Sequence, residues 1–296
     1  MVSINCTTFN QESYIRQCLD GFVMQRTKFR FEAVVHDDAS TDKTATIIKE
    51  YAERYPDIIR PIYETENQYS KHDGSLLRIM NEACKGKYIA LCEGDDYWTD
   101  PYKLQKQVDF MEQHEDFSMC FHSAKVLNEN KTVQYIDCEH LQEKEYFTKD
   151  IFPQWIIPTA SVLCKREVLL RPIRKREMLL YGDISIFLSA ADMGRLWGME
   201  DQMSVYRIHS NGVTQTESVD YRKWLRHEKC LRMNFPKINR SMINNHISGY
   251  YYSLAKNDKR VSQQLLDYIN SFFNSPKYFI GKVLKGIRRK LSGSQC

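Results

Sequence analysis

The stretch Tyr88-Ile89-Ala90-Leu91-Cys92-Glu93-Gly94-Asp95-Asp96 joins an apolar run to three carboxylates that fall within four residues. The apolar run has the composition of a buried β-strand, and the carboxylates follow at its carboxyl end. Carboxylates this close repel one another unless a cation neutralises them. Hard divalent cations take oxygen ligands, and Mg²⁺ is commonly held by one or two carboxylates plus substrate phosphates. The stretch therefore predicts a metal site, with a solvated acidic turn as the alternative.

The part of the chain that contains this stretch alternates strand and helix patterns. Short runs rich in β-branched or aromatic residues predict four strands, at 2–6, 31–36, 58–62 and 87–92. Apolar residues at helical spacing predict three helices between them, at 15–23, 47–55 and 76–83. Such alternation predicts βαβ units and a mostly parallel α/β sheet with helices on both faces. Ligands of such sheets bind at the carboxyl ends of the strands.

The patterns beyond residue 100 are weaker. Helices are predicted at 101–115 and 184–191, and strands at 117–127, 132–137, 161–164 and 199–208, with a turn at 128–131. After about residue 219 the pattern is helical throughout. We therefore divide the chain into residues 1–98, 99–218 and 219–296.

Composition and charge restrict the class of protein. The chain has 296 residues, of which 42% are hydrophobic and 27% charged, so it can bury a sizeable core and is neither disordered nor collagen-like. Residues 219–296 carry 16 Lys+Arg against 4 Asp+Glu, whereas residues 1–218 carry 26 against 34. This asymmetry predicts an anionic partner for the basic part. We expect no nucleic acid, because no nucleic-acid-binding motif accompanies the basic residues.

Cysteine spacing and the amino terminus indicate the compartment. The nine cysteines are scattered without a Cys-x-x-Cys pair, which favours reduced thiols over disulfides or a zinc site. No run approaches the roughly 18 apolar residues of a membrane-spanning helix. The start MVSINCTTFN has neither a basic leader nor an apolar signal core, so we expect a cytoplasmic protein.

A second polar cluster follows the strand predicted at 31–36. It reads His36-Asp37-Asp38-Ala39-Ser40-Thr41-Asp42. Ser40 or Thr41 suits the N-cap of the next helix, which leaves the two adjacent carboxylates unexplained by local structure. A carboxylate at the end of a strand can accept an N–H from a base or hydroxyls from a ribose.

Three motifs together resemble the inverting family 2 glycosyltransferases, which have the Rossmann-like GT-A fold. The motifs are Val2-Ser3-Ile4-Asn5-Cys6-Thr7-Thr8-Phe9-Asn10, Asp37-Asp38-Ala39-Ser40-Thr41-Asp42 and Glu93-Gly94-Asp95-Asp96. The resemblance covers about residues 1–215. It implies that residues 1–98 form the nucleotide-sugar-binding half, 99–218 the acceptor-binding half, and 219–296 a basic helical extension.

The resemblance also implies roles for residues in these motifs. Thr7 and Asp38 match positions that contact the nucleotide base, and Phe9 matches the aromatic position beside it. Asp95 and Asp96 match the Asp-Asp element, in which Asp96 is the direct ligand of Mn²⁺ or Mg²⁺ and Asp95 lies at the nucleotide. Glu93 stands where many members have an aspartate, and its role stays open.

Residues further along the chain complete the implied site. Asp183, after Tyr181-Gly182, matches the general base, with a simple N-cap of the following helix as the alternative. His209, within residues 206–213, matches a position near the diphosphate and is a candidate metal ligand. Further candidates are an acceptor-side segment at 157–162, a lid at 212–217, and phosphate contacts at Lys71 and His72.

The implied reaction transfers a sugar, expected from a UDP-sugar, to a saccharide or lipid-linked saccharide with inversion of the anomeric centre. Bacterial surface polysaccharide synthesis is the expected context. A nucleotidyltransferase is an alternative, although residues 7–12 lack the glycine-rich phosphate loop it needs. A non-catalytic nucleotide-sugar or saccharide-binding scaffold is another, although it would be expected to lack the metal carboxylates or the base.

The basic end of the chain predicts an amphipathic helix at 277–291. Its apolar residues fall within roughly 140° on a helical wheel; they are Phe279, Ile280, Val283, Leu284, Ile287 and Leu291. Basic residues occupy the other side, and no acidic residue lies between Pro276 and Cys296. We therefore expect residues 276–291 to bind an anionic membrane surface at the inner face of the cell membrane, with packing on the protein's own core as the alternative.

Overall fold

A computed structural model describes residues 1–129, 138–152, 156–210, 212, 220–258 and 260–292, with side chains up to residue 286. The chain divides into two units. Residues 1–172 with 183–217 form the first, and residues 173–182 with 218–296 form the second.

The first unit opens with four parallel strands and three helices. The strands are β1 (Val2–Thr8), β2 (Phe31–Asp37), β3 (Ile59–Tyr63) and β4 (Tyr88–Leu91), in the spatial order β3-β2-β1-β4. The intervening helices are α1 (Ile15–Val23), α2 (Thr44–Arg54) and α3 (Ser75–Ala83). The predicted βαβ arrangement is confirmed. It brings the carboxyl ends of β1, β2 and β4 to one edge.

The second half of the sheet mixes strand directions. Its strands are β5 (Tyr97–Trp98), β6 (Phe117–Asn128), β7 (Lys144–Tyr146), β8 (Leu163–Lys165) and β9 (Arg195–Ile208). β8 runs antiparallel to β4 and β6, β9 runs parallel to β6, and β5 and β7 pair antiparallel with β9. The helices are α4 (Lys103–Gln113), α5 (Thr148–Ile151), α6 (Arg166–Leu170) and α7 (Asp183–Met193).

Most elements predicted beyond residue 100 are confirmed, whereas the shortest were missed. Helices 101–115 and 184–191 and strands 117–127, 161–164 and 199–208 correspond to α4, α7, β6, β8 and β9. The strand predicted at 132–137 lies outside the described residues. β5, β7, α5 and α6 have two to five residues each, too few to show a periodic pattern.

The core of the first unit buries polar side chains as well as apolar ones. Lys103 of α4 is fully buried, and its Nζ donates to Gln107 Oε1 at 2.7 Å and lies 4.1 Å from the centre of the Trp98 ring. Burial lowers the pKa of Lys103 to about 7. Eight of the nine cysteines are described; all are buried and free, as the prediction of reduced thiols requires.

The second unit is helical, as predicted. Its helices are α8 (Tyr221–Asn234), α9 (Arg240–Asn257), α10 (Val261–Asn274) and α11 (Pro276–Ser292). Asp220 caps α8 by accepting the N–H of Arg222 at 2.8 Å, and Asn239 caps α9 by accepting the N–H of Met242 at 3.2 Å. None of the helices in the described ranges has the length and apolar composition needed to cross a bilayer.

Candidate active site

The loops that follow β1 and β2 are tied together by side-chain-to-backbone hydrogen bonds. Ser40 Oγ accepts the N–H of Asn10 at 2.9 Å, and Asn10 Oδ1 accepts the N–H of Thr41 at 2.8 Å. Asn10 and Ala39 both have left-handed backbone conformations, at φ 52° and 63°. Such conformations cost a non-glycine residue about 1–3 kcal/mol and persist only where surrounding contacts enforce them. The two loops therefore form one fixed surface at the edge of the sheet.

The prediction that Ser40 or Thr41 caps α2 is wrong. α2 begins at Thr44, and Asp42 Oδ1 accepts the N–H of Thr44 at 2.9 Å. The Ser40 hydroxyl is instead occupied by Asn10 of the neighbouring loop. A tertiary contact has replaced the local one that the sequence favours.

Asp38 joins the end of β2 to the loop after β3. It is 3% exposed, and its two carboxylate oxygens accept the N–H groups of Gln68 at 2.6 Å and of Tyr69 at 3.0 Å. An ionised carboxylate has about four acceptor positions, so Asp38 retains capacity for another donor. Asp37 beside it has a buried Oδ1 without a partner among the described residues, and burial raises the pKa of Asp37.

Thr7 and Phe9 lie on either side of the end of β1. Thr7 is half-buried, and its carbonyl accepts the N–H of Gly94 at 3.1 Å. Phe9 is 44% exposed just beyond the strand. The register pairs Thr8 with Asp37, so Phe9 and Asp38 are the residues that directly follow this pair. The exposed ring of Phe9 is available to a planar ligand.

Gly94 lets the acidic loop after β4 pass against β1. A Cβ at this position would lie 2.8 Å from Thr8 Cβ and 2.5 Å from Gln11 Oε1. Either contact is shorter than a carbon atom tolerates, so any other residue would push the loop away. The glycine thus holds Glu93, Asp95 and Asp96 at the edge of the sheet.

Asp96 is the most buried of the three acidic residues, at 1% exposure. Its Oδ1 accepts the N–H of Arg207 at 2.8 Å, whereas its Oδ2 is buried and has no partner in the described part of the chain. Burial, and then the charge of Asp95, raise the pKa of Asp96 well above its ordinary value. A buried carboxylate with one oxygen left over is suited to receive a cation.

His209 lies directly against Asp95. Its Nε2 is 3.0 Å from Asp95 Oδ2, and its ring packs on Tyr14 at a centroid distance of 4.6 Å. An octahedral ion with bonds of about 2.1 Å places neighbouring ligand atoms about 3 Å apart. The spacing of the two atoms therefore suits joint ligation as well as a direct hydrogen bond.

Arg207 anchors the acidic loop from β9. Its Nε donates to the Asp95 carbonyl at 2.8 Å, Nη1 to Glu129 Oε1 at 2.8 Å and Nη2 to Gln17 Oε1 at 2.9 Å. Tyr14 and Tyr97 flank the guanidinium, with ring centres 4.6 and 5.3 Å away. The resemblance implies a position near the diphosphate within residues 206–213. The structure adds a protein partner for each nitrogen of the Arg207 guanidinium.

Asp183 and Glu93 are electrostatically linked. Asp183 is the first residue of α7, and its Oδ1 accepts the N–H of Ile184 at 2.7 Å. Glu93 presents its side chain to solvent, while protein atoms crowd its carboxyl group. Desolvation, followed by the charges of Asp95 and Asp183, raises the pKa of Glu93 to about 8. The proposed base therefore lies within electrostatic reach of the acidic loop.

The remaining candidates are placed as follows. Lys71 Nζ is 3.0 Å from Gln68 Oε1 and 3.2 Å from Glu66 Oε2, so neighbouring side chains engage it. His72 is exposed in the same loop. Most of segment 157–162 is buried, and the Ala160 carbonyl accepts the Trp98 indole N–H at 2.9 Å. Of the lid predicted at 212–217, only residue 212 is described.

The donor set is compatible with a divalent cation that also binds a substrate. Among the described residues, no three or more His, Cys, Asp or Glu side chains form a closed metal cluster. Asp95 and Asp96 nonetheless offer hard oxygen ligands, and Asp96 Oδ2 is buried with no partner within the described part of the chain. Mg²⁺ characteristically takes one or two carboxylates and completes its shell with water and phosphate. The residues therefore fit such an ion.

A mixed α/β sheet whose first four strands are parallel, with this acidic loop at their carboxyl edge, defines a protein of the GT-A class. The chain belongs to glycosyl transferase family 2, whose family model matches residues 3–168. The uncharacterized protein Mb1547 of Mycobacterium bovis is 37% identical over 223 residues, which are 75% of this chain and 63% of that protein. The chain thus spans somewhat less than two thirds of that relative. The putative teichuronic acid biosynthesis glycosyltransferase TuaG of Bacillus subtilis is 26% identical, over 80% of this chain and 91% of its own.

Solved structures share the fold. S. aureus TarS 1–349 in complex with UDP-GlcNAc superimposes with a TM-score of 0.62, covering 94% of this chain and 82% of its own at 16% identity. The mannosyltransferase PcManGT of Pyrobaculum calidifontis, in complex with GDP-Man and Mn²⁺, gives a TM-score of 0.53 over 98% of this chain and 80% of its own, also at 16% identity. The predicted GT-A fold is confirmed.

Proposed function

We propose that this protein is a metal-dependent inverting glycosyltransferase that moves a sugar from a nucleotide-diphosphate donor to a hydroxyl of an acceptor. The observation that carries the proposal is the acidic loop, in which Asp96 keeps, beside Asp95, a buried carboxylate oxygen that has no partner among the described residues. This loop lies at the sheet edge where α/β proteins bind nucleotides. Membership of glycosyl transferase family 2 supports the same reaction.

The proposed donor site spans the ends of β1, β2 and β4. Thr7 and Asp38 bind the base, Phe9 contacts its face, and Asp95 lies at the nucleotide. The exposed ring of Phe9 and the spare acceptor capacity of Asp38 support these roles. A UDP-sugar is the proposed donor, supported by the UDP-GlcNAc held by the similarly folded TarS.

Asp96 and Asp95 would hold Mn²⁺ or Mg²⁺, with His209 as a further candidate ligand. When bound, such an ion neutralises the charge that builds up on the departing diphosphate. Arg207 keeps both carboxylates in position through the N–H that reaches Asp96 and the guanidinium that binds the Asp95 carbonyl.

Asp183 is the proposed general base. It takes the proton of the acceptor hydroxyl while that oxygen bonds to the anomeric carbon and the bond from that carbon to the diphosphate oxygen breaks. Proton transfer by a positioned side chain contributes typically about 10²–10⁴-fold. A single displacement of this kind inverts the anomeric centre and needs no covalent intermediate. The electrostatic link between Asp183 and Glu93 supports the assignment.

The proposed acceptor is a saccharide or lipid-linked saccharide of bacterial surface polysaccharide synthesis. The similarity to TuaG, a putative teichuronic acid biosynthesis glycosyltransferase, supports this class. A lipid-linked acceptor would be presented at the inner face of the cell membrane. We therefore include peripheral attachment there, through residues 276–291, in the proposal.

A thermal-shift screen of nucleotide sugars with and without Mn²⁺ tests the proposal, followed by assay of nucleotide release with saccharide acceptors. A donor that binds the folded state raises the melting temperature, and the rise should depend on Mn²⁺. If no nucleotide or nucleotide sugar changes the melting temperature, the assignment of the donor site is wrong. If a donor binds but no acceptor of either class supports transfer, a non-catalytic binding scaffold is the better description.

A further inference from the structure

Helix α10 exposes a continuous stripe of large apolar side chains, here called the α10 stripe. Its members all lie on one side of the helix, within roughly 140° at 100° per residue; they are Val261, Leu265, Leu266, Ile269, Phe272 and Phe273. Val261 and Phe273 are 78% and 77% exposed, and Leu265 is 61% exposed. Apolar stripes of this size on a protein surface mark an interaction site.

The neighbouring helix α11 divides its own apolar residues between the protein and solvent. Phe279 packs against Tyr252 and Phe272, with ring centres 6.0 and 5.9 Å apart, so this side of α11 is covered by its own unit. Ile280 and Leu284 are 49% and 51% exposed. Packing on the protein's own core thus holds for one side of the amphipathic helix, and its other side is exposed to solvent.

The four acidic side chains of residues 219–296 are each held by protein groups. Glu228 and Asp267 are buried, and Asp220 caps α8. Asp258 is bound by Arg222 and by Arg260, each at 3.4 Å. These are the 4 carboxylates that stand against 16 Lys and Arg in residues 219–296. The outward charge of the unit is therefore positive.

Lysines border the exposed apolar residues. Lys277, Lys282 and Lys285 of α11 are exposed, and the sequence contains no acidic residue from 268 to 296. An apolar stripe beside basic residues matches the boundary between lipid headgroups and acyl chains. Two copies of so basic a unit would repel each other across this face, and nucleic acid offers no counterpart for the aliphatic Val, Leu and Ile side chains.

We infer that the α10 stripe, together with Ile280 and Leu284, is the surface by which this protein binds an anionic phospholipid bilayer. The apolar side chains enter the interface, and the lysines of α11 bind the headgroups. This inference deepens the proposed attachment through residues 276–291 by adding α10 as its apolar contact. It does not depend on the donor or base assignments.

Co-sedimentation of the full-length protein with phosphatidylcholine vesicles, with and without phosphatidylglycerol, tests the inference in the absence of any substrate. We expect binding to the anionic vesicles only, weakened as salt rises from about 0.05 to about 0.5 M. The double variant Leu265→Gln, Phe273→Gln should bind at least about tenfold less. Its melting temperature should not change, because both side chains are exposed.

Met233→Gln is the matched control, since Met233 is 44% exposed in the same unit but lies on α8. The control should bind vesicles like the wild-type protein. Vesicle binding by the double variant at the wild-type level overturns the inference, as does failure of the wild-type protein to bind at low salt. A dimer in sedimentation velocity that the double variant dissociates also overturns it, because a second copy would then cover the stripe. UDP binding, measured on the same samples, reports separately on the proposed function.

Discussion

The backbone N–H of Arg207 donates to Asp96 Oδ1 over 2.8 Å and joins residues 111 positions apart in the chain. The bond occupies one oxygen of the buried carboxylate, and the other has no partner in the ranges that the structure describes. Strand β9 thereby determines which oxygen of the acidic loop is available to a cation.

Arg207→Lys should weaken the binding of Mn²⁺ more than it lowers the stability of the folded protein. A lysine cannot bond the Asp95 carbonyl, Glu129 and Gln17 together, so the acidic loop loses its orientation. We expect the Mn²⁺ concentration for half-maximal transfer to rise by about tenfold, equivalent to about 1.4 kcal/mol. Arg195→Lys, an exposed arginine on the same strand with two ion pairs, is the control and should behave as wild type. An unchanged Mn²⁺ requirement in Arg207→Lys would mean that Arg207 only supports the fold.

Asp96→Ala should abolish the metal-dependent part of donor binding. Removing the buried carboxylate relieves the unfavourable burial that raises its pKa but leaves the N–H of Arg207 without its acceptor, so the two effects oppose each other and the melting temperature without metal should change little. Calorimetry of UDP with and without Mn²⁺ measures the effect. Equal affinity of variant and wild type in Mn²⁺ would exclude Asp96 as the ligand.

Asp183→Asn should retain donor binding and lose transfer by about 10²–10⁴-fold. The amide keeps the size of the side chain and can still accept the N–H of Ile184, but it has no basicity. Donor affinity by calorimetry and turnover by nucleotide release separate the two properties. Wild-type turnover in this variant would rule out Asp183 as the base.

Asp38→Ala should weaken binding of UDP even without metal. It also removes the acceptor of two backbone N–H groups, at Gln68 and Tyr69, so we expect a loss of stability of about 1–3 kcal/mol. Asp38→Asn keeps one carbonyl acceptor and should lose less stability. If Asp38→Ala is destabilised but binds UDP with wild-type affinity, the residue only holds the loop after β3.

Lys103→Met should raise stability most at low pH. Burial lowers the pKa of Lys103 from 10.5 to about 7, so between these values the unfolded chain binds more protons and wild-type stability rises with pH. Below pH 7 the native protein bears the full cost of the buried charge. The gain in the variant should therefore be roughly 1–4 kcal/mol near pH 6 and shrink towards pH 9. Urea unfolding across this range measures it, and a gain independent of pH would contradict the assigned cause.

The sequence predicted those parts of the molecule whose causes are local. Periodic apolar residues predict the alternation of strands and helices in the first unit. The acidic loop is predicted as a metal site because its three carboxylates repel one another unless a cation neutralises them. The hydrogen bond from Arg207 to Asp95 joins positions 112 apart, so no short-range pattern in the sequence predicts it. The loop-holding role of Asp38 was missed for the same reason, since its partners lie 30 and 31 residues away. The exposure of the α10 stripe depends on how α11 packs against it, and the sequence does not show that packing.

The N–H of Gly94 donates a hydrogen bond to the Thr7 carbonyl and so joins the acidic loop to β1 as one rigid structure. With no room for a side chain between them, neither can move without displacing the other. A base bound near Thr7 and an ion bound near Asp96 therefore share a common frame. Any free-energy coupling between the two ligands is necessarily reciprocal, so each would strengthen or weaken the other by the same factor. A nucleotide-diphosphate donor that spans both positions would therefore be bound as one unit.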